Sequence, residues 1–446
     1  MDNLKRKAYS QMLEWKSKLA DRYALLIEGA RRVGKTHLVQ DFAHNEYESS
    51  IYIDFSLKNR LVQESKKAFT EEDDIKGTLE RLQTIHRVSL KPGKSCVVFD
   101  EVQRFPIARE AIKPLLEYGK YHYIETGSLL GIRENVKDIV IPSEEHKMKM
   151  FPLDFEEFLW ALGADRTADA IREGFTKKQP MGWLHDEAVK LARQYMVVGG
   201  MPQSVIAYCQ GDDHRLEHCE ATKREILSLY EADIGRYARG YASKVRALFR
   251  HIPAALNTRE KKFHLADIDR NARMRRYENA FLWLGDAMVA NIAYNSTNPD
   301  VGLEMNIEDS LFKCYSVDTG LLLTQAMAGA DDVDGRLLRG VLYDKLGINE
   351  GMFFENFVAQ MLSSSGYDLL FHSRSSPRIE VDFLFRRGIK VCPVEVKSSG
   401  YRVHASLDWL IAHYPSRLGE RYVVCTGDYE IDDGITYLPF YMAHCL

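Results

Sequence analysis

"LLIEGARRVGKTHLVQDF", Leu25–Phe42, is the stretch on which the fold turns. A run of apolar residues enters Gly29, and Gly34, Lys35 and Thr36 complete the pattern G-x-x-x-x-G-K-[ST]. Each residue type has a reason to stand there. A strand must deliver the loop, and "YALLIEG" (Tyr23–Gly29) reads as a buried strand. The glycines let backbone N–H groups face phosphate oxygens, the lysine meets the β and γ oxygens, and the threonine hydroxyl ligates Mg²⁺. The helix predicted over Lys35–Ala43 aims the positive end of its dipole at the same phosphates. The predicted nucleotide loop is Gly29, Ala30, Arg31, Arg32, Val33, Gly34, Lys35, Thr36 and His37.

Four fixed positions also occur by chance in a turn, so the loop needs a partner strand ending in an acid. "KSCVVFDEVQRF" (Lys94–Phe105) supplies one. Cys96 to Phe99 are apolar, as a central parallel strand requires. Asp100 stands at the carboxyl end, where open α/β sheets bind ligands. The pair divides the work: Asp100 with Thr36 for the metal, Glu101 as the base that orients the attacking water. "SSIYIDF" (Ser49–Phe55) and "KYHYIETGS" (Lys120–Ser128) read as further strands of a doubly wound α/β domain. At Thr126-Gly127-Ser128 a polar side chain, Ser128 in the predicted catalytic set with Lys35 and Glu101, would sense the γ-phosphate. A plain strand-to-loop turn accounts for the same residues.

The 446 residues exceed one hydrophobic core, so two or three domains are expected. Apolar residues at 45% and charged residues at 28% are ordinary for a globular protein. The first residues lack the apolar core of a signal peptide, and no run approaches the 18 apolar residues of a membrane span. Seven cysteines are scattered without a C-x-x-C pair, which predicts a reducing, cytoplasmic setting.

The chain resembles bacterial and archaeal P-loop ATPases of the AAA+/STAND type, which join an AAA-like domain to a C-terminal domain of uncharacterised role. The residues that carry it are "GARRVGKT", "VVFDEVQRFP", "IETGSLLG", "MFPLDFEEFLWA", "YMVVGGMPQSV", "YSVDTGLL", "FFENFVAQML" and "EVDFLF…VEVKSS", in order along the chain. The resemblance implies Mg–ATP as cofactor and a homo-oligomer. It also implies that Gly200 and Pro202, in "VGGMP", match the glycine-x-proline element through which a helical extension feels the nucleotide. A helix break explains the same residues. The expected layout is an α/β P-loop NTPase domain (1–155), a helical extension (156–240), a winged-helix-like domain (241–305) and a C-terminal domain (306–446).

The net charge of −4 hides an asymmetry. Thr222–Arg276 holds 14 basic against 6 acidic residues. "ASKVRALFRHIPAAL", "KKFHLADI" and "RNARMRRYENAFLWLGDAMVANIAYN" look like a winged-helix unit, with Arg270, Arg273, Arg275 and Arg276 opening its recognition helix. Three readings stay open: DNA phosphate contact, arginine fingers toward a neighbouring nucleotide, with Arg236 and Arg239 also candidates, and a solvated helix face.

"RIEVDFLFRRGIKVCPVEVKSSG" (Arg378–Gly400) contains two alternating stretches around an "RRG" turn, a β-hairpin. Residues two apart share a strand face. Glu395 and Lys397 therefore point one way, and Asp382 can face them from the neighbouring strand. Two carboxylates and a lysine suit a Mg²⁺ site with a water-activating ammonium. With Glu355 on the helix upstream, the order resembles the PD-(D/E)xK nuclease core. Val381 departs from it by standing at the namesake proline. A half-exposed strand also reads V-E-V-K with its charges in water, and Gly340–Leu446 holds 10 basic and 13 acidic residues, a poor balance for DNA.

Two functions follow. One is a Mg–ATP-driven switch whose restriction-endonuclease-like C-terminal domain acts on nucleic acid. The other is a regulatory or scaffolding ATPase whose nuclease-like domain is catalytically dead and binds a protein partner. A DNA-binding regulator that uses the winged helix alone is a third.

Overall fold

The computed structural model describes residues 4–128, 142–211, 215–258, 260–268, 274–300, 302–328 and 350–446. Arg270 and Arg273 lie outside them. The chain divides into two compact units, one formed by Lys5–Phe151 with Asp286–Met288, the other by Pro152–Gly285 and Val289–Leu446.

The first unit is built on five strands, β1 (Ala24–Gly29), β2 (Ser49–Asp54), β3 (Ser95–Asp100), β4 (His122–Gly127) and β5 (Glu145–Met150). All pair in parallel, in the order β2-β3-β4-β1-β5. β1, β3 and β4 are buried along their whole length; β1 and β3 are largely apolar, as central parallel strands require, while β4 also buries His122, Glu125 and Thr126. The helix after the loop runs from Lys35 to Glu46, longer than predicted, and buries Leu38, Val39, Phe42 and Ala43. On one side Leu26, Ile51, Ile53, Val97, Phe99 and Tyr123 join a single core with Leu79, Leu82, Ile112 and Leu115. Because β4 lies between β1 and β3, the carboxyl end of β4 stands between the loop and Asp100.

The second unit opens with "PLDFEEF". Asp154 caps the helix Phe155–Ala161 by accepting from the Glu157 N–H at 2.9 Å, while the Glu157 carboxylate accepts from the Asp154 N–H at 3.0 Å. Helices His185–Val198, Pro202–Gln210, Arg215–Tyr237 and Ala242–Leu256 follow. The sheet of this unit contains β6 (Ala290–Ser296), β7 (Ile307–Ser316), β8 (Leu370–Arg374), β9 (Ile379–Arg387), β10 (Lys390–Val396), β11 (Tyr422–Cys425), β12 (Glu430–Asp432) and β13 (Ile435–Pro439). Their order is β12-β13-β11-β10-β9-β8-β6-β7. The hairpin read from "RRG" is there, with Arg387 opposite Lys390.

The boundary expected at 305/306 falls inside this sheet. β6 pairs antiparallel with β7 and parallel with β8, so a strand assigned to the middle domain is continuous with the C-terminal ones. Alternation within "ANIAYN" shows that a strand is present but not which neighbour it takes. Helix Glu350–Ser364 is buried from Met352 to Ser363, so its "FFENFVAQML" is covered all round, and its polar residues Glu355, Asn356 and Gln360 are buried with partners.

Candidate functional site

In the first unit the loop residues converge on the carboxyl end of β3. Gly34 has φ +97° and begins the helix, a conformation that favours glycine. Gly29 is needed for space, since a Cβ there would lie 2.4 Å from the Met150 carbonyl oxygen. Val33 is buried and Arg31, Arg32, Thr36 and His37 are exposed. The Arg6 guanidinium donates to the Val33 carbonyl at 3.0 Å and to the Phe151 carbonyl at 2.7 Å, fixing the loop from outside.

Lys35 is buried, and its ammonium donates to the Gly29 and Ala30 carbonyls at 2.8 and 3.0 Å. Burial lowers its pKa, with Glu101 and Asp100 pulling the other way. Its hydrogen bonds go to neutral oxygens and not to a carboxylate. The charge is therefore held in the loop by carbonyls, without an ion-pair partner.

Asp100 is 1% exposed. Its Oδ2 accepts from the Thr36 hydroxyl at 2.7 Å and from the Tyr52 hydroxyl. Its Oδ1 accepts from the Thr126 hydroxyl and from the Glu101 N–H at 3.1 Å. The structure thus brings together Thr36 and Asp100, the two residues predicted to serve the metal. A hydroxyl ligand beside a strand-end carboxylate is a donor set that suits Mg²⁺. Sequence reasoning missed Tyr52 and singled out Ser128 from the end of β4. Thr126 is the residue there whose hydroxyl reaches Asp100, while Ser128 stands just past the strand. The signal for Thr126 was sheet order, which sequence does not carry.

Glu101 has φ +55°, the left-handed region that a non-glycine residue occupies at a cost of about 1–3 kcal/mol. Its N–H also reaches the Thr126 hydroxyl at 3.2 Å, and its carboxylate accepts from Gln103 Nε2 at 2.7 Å. Burial raises its pKa, and Lys35 opposes the shift. A turn in this conformation lets two consecutive acids face different ways, Asp100 toward the loop threonine and Glu101 toward Gln103.

In the second unit Gly200 and Pro202 are buried at the start of helix Pro202–Gln210. The Gly200 N–H donates to Asp318 Oδ2 at 2.5 Å, and its carbonyl accepts from the Leu153 N–H at 2.7 Å. Asp318, from "YSVDTGLL", also caps helix Thr319–Ala326 through the Leu321 N–H at 2.9 Å. Gln360 completes this cluster with Tyr195 and Thr319.

The predicted C-terminal acids also meet. Glu355, Asp382 and Glu395 gather with Lys397, whose ammonium is 2.8 Å from Glu395 Oε1. Sequence reasoning missed the cations that share the cluster. Lys313, on β7 and 0% exposed in its side chain, is 3.0 Å from Glu355 Oε1, 2.9 Å from Glu380 Oε1 and 3.3 Å from Asp382 Oδ1. Lys261 pairs with Glu355 Oε2, and Lys262 lies 3.1 Å from Glu380 Oε2. Tyr315 donates to Glu355 Oε1 at 2.5 Å. The Val396 N–H donates to Asp382 Oδ2 at 2.8 Å. Burial opposes the Lys313 charge, but Glu355, Tyr315, Asp382 and Glu380 outweigh it and hold its pKa well above the usual range. Burial likewise opposes ionised Glu355, and Lys261 and Lys313 overcome it. Burial, reinforced by Asp382, pushes Glu395 up to about 8 against the pull of Lys397. Among the described residues no three His, Cys, Asp or Glu side chains converge as a metal-binding group.

Residues 21–159 match the family described as an AAA domain. Residues 189–333 and 350–442 match two domains of unknown function, DUF8612 and DUF4143. No curated protein matches the chain. Among solved structures the chain is similar to C. elegans PCH-2, at 13% identity and TM-score 0.27, over 48% of this chain and 65% of that one. The chain thus spans less than two thirds of that protein's length. It is also similar to a chain of Drosophila ORC bound to DNA, at 11% identity and TM-score 0.30, over 75% of this chain and 94% of that one. The match over residues 21–159 identifies an AAA-type domain around the P-loop of the first unit. No described helix is long and apolar enough to cross a membrane.

Proposed function

We propose that the protein binds and hydrolyses Mg–ATP in its AAA-type domain and uses the nucleotide state as a switch. The observation that carries this is the convergence of Thr36 and Asp100 at 2.7 Å beside an ammonium held only by carbonyls. Lys35 and the backbone N–H groups from Ala30 to Thr36 bind the phosphates. Thr36 and Asp100 would hold the magnesium, which would neutralise developing phosphate charge. Glu101 orients the attacking water and accepts its proton. Thr126 fixes the Asp100 carboxylate and the Glu101 peptide, and Ser128 follows where the γ-phosphate is sensed. Lys35→Ala abolishes ATP turnover; retained turnover would sink the assignment.

Gly200 and Pro202 are the nucleotide-sensing element in this reading. The Asp318 clamp supports it, because it ties that element to the end of β7 and to helix Thr319–Ala326. The winged-helix reading draws support from helices Ala242–Leu256 and Met274–Asp286, hairpin β6–β7 and the bridge between Lys262 and Lys313. Arg275 and Arg276 are exposed on the second helix. Reversing both charges lowers a salt-dependent DNA affinity if this surface meets phosphates; an unchanged affinity excludes that role.

The output has two readings. The succession helix Glu350–Ser364, β8, β9, β10, helix Ala405–His413, β11 agrees with a nuclease-like core, and on that basis the output acts on nucleic acid. One observation favours the other reading, a regulatory or scaffolding ATPase whose nuclease-like domain binds a protein partner: the acids of the centre already carry a lysine among them. Mg²⁺-dependent DNA cleavage by the purified chain, lost in Asp382→Ala, separates the two.

A further inference from the structure

We propose that Lys313 is the resident cation of the C-terminal centre: its ammonium lies among Glu355, Glu380 and Asp382, against the Asp382 carboxylate that the nuclease resemblance assigns, with Glu395, to a divalent metal, and the centre takes up no Mg²⁺ or Mn²⁺. The proposal rests on the nuclease-like reading of this domain and is independent of the ATPase reading.

The acid oxygens are already committed. Both oxygens of Asp382 have partners, Lys313 at 3.3 Å and the Val396 N–H at 2.8 Å. Glu355 Oε1 accepts from Lys313 at 3.0 Å and Tyr315 at 2.5 Å, and Oε2 accepts from Lys261. Glu395 Oε2 is buried without a partner. One free oxygen does not make the six-fold shell that Mg²⁺ demands at about 2.1 Å.

Charge points the same way. Four acid side chains, Glu355, Glu380, Asp382 and Glu395, the last held protonated up to about pH 8, already sit among four ammonium groups, Lys261, Lys262, Lys313 and Lys397, so no negative charge is left over for a metal ion. A divalent ion seated on Asp382 and Glu395 would bring two further positive charges next to the Lys313 ammonium, 3.3 Å from Asp382 Oδ1, in a buried place, where like charges repel most. Lys313 has no exit. Its side chain is fully buried, and its backbone is fixed by pairing with Ala293 on β6 and by the bridge to Lys262. Three of the cations, Lys261, Lys262 and Lys313, come from segments before helix Glu350–Ser364, and three of the acids from that helix and β9. Covalent connection thus supplies what a soluble ion would otherwise supply.

The test is Mn²⁺ titration of the nucleotide-free full chain, read by electron paramagnetic resonance, for the wild type, Asp382→Asn, Lys313→Ala and the double variant. Wild type and Asp382→Asn are expected to superimpose. Wild-type uptake of one ion more than Asp382→Asn overturns the proposal, whether or not the lysine variants fold. Lys313→Ala is expected to gain one ion per chain, and the double variant to lose it. A folded Lys313→Ala, with an unchanged melting profile, that gains no ion also overturns it. Lys313→Gln, which keeps much of the side-chain volume, replaces the alanine variant if that one does not fold. ATP turnover of Asp382→Asn, measured alongside, reports on the AAA-type domain alone, so failure of one reading is not mistaken for failure of the other.

Discussion

The Thr126 hydroxyl donates to the Asp100 carboxylate, across the junction between β4 and β3. The same hydroxyl accepts from the Glu101 N–H at 3.2 Å. One side chain thus fixes both acids of the strand end. Thr126→Val keeps the shape and removes both bonds. Loss of an orienting partner of this kind costs about 10–100-fold in activity. Turnover of ATP is expected to fall by that factor while nucleotide affinity, read by fluorescent-ATP titration, changes far less. Equal loss of both would place Thr126 in binding instead.

Glu101 makes a separable contribution. Glu101→Gln keeps the bond to Gln103 available and removes the base, so ATP binding is expected to persist while turnover drops by about 10²–10⁴. Burial raises the Glu101 pKa, so the wild-type rate should fall on acidification from a pH above the ordinary carboxylate range. The ionised form does the work, hence the loss occurs as pH falls and not as it rises. A pH–rate profile flat down to pH 5 would remove Glu101 from the role.

Asp318 holds the segment that carries Gly200. Its carboxylate takes N–H groups from Gly200 and Leu321 and a side-chain N–H from Gln360 at 3.3 Å, all buried. Asp318→Ala leaves these donors without partners, at about 1–3 kcal/mol for each such group. The second unit is expected to melt several degrees earlier, with Asp318→Asn less affected. A melting profile equal to the wild type would mean that the cluster relaxes without cost.

The first unit was more legible than the second, for a physical reason. A phosphate loop and a strand-end acid are local patterns, since the chemistry needs each residue at fixed spacing from a strand. Lys35, Thr36, Asp100 and Glu101 were singled out that way. Thr126 and Tyr52 were not, because their role depends on which strands flank β3. In the C-terminal hairpin the alternation placed Asp382 and Glu395 together correctly. It gave no hint of Lys313, 69 residues before Asp382, because a lysine inside "LFKCYS" looks like an exposed break in a strand. Burial of a charge is decided by its partners, and those came from elsewhere in the chain.

Glu395 provides a pH test of the same centre. Burial and the neighbouring Asp382 carboxylate lift its pKa to about 8, above the ordinary carboxylate value of an unfolded chain. Between those two values the folded chain holds a proton that the unfolded chain has released. Folded stability therefore falls as pH rises through this window, with a slope of at most about 1.4 kcal/mol per pH unit from one group. The contribution is complete only below the ordinary carboxylate pKa, falls through mildly acidic and neutral pH, and is gone above about pH 8. Glu395→Gln removes the titration, so the difference in melting temperature between variant and wild type should grow in the variant's favour from pH 5 to pH 9. Lys397 works against that gain, since the amide is a weaker partner for its ammonium at 2.8 Å, and its loss sets an offset that does not vary over this range. Melting curves of the two proteins that stay parallel with pH would show that Glu395 is ionised throughout, and that Lys397 outweighs burial.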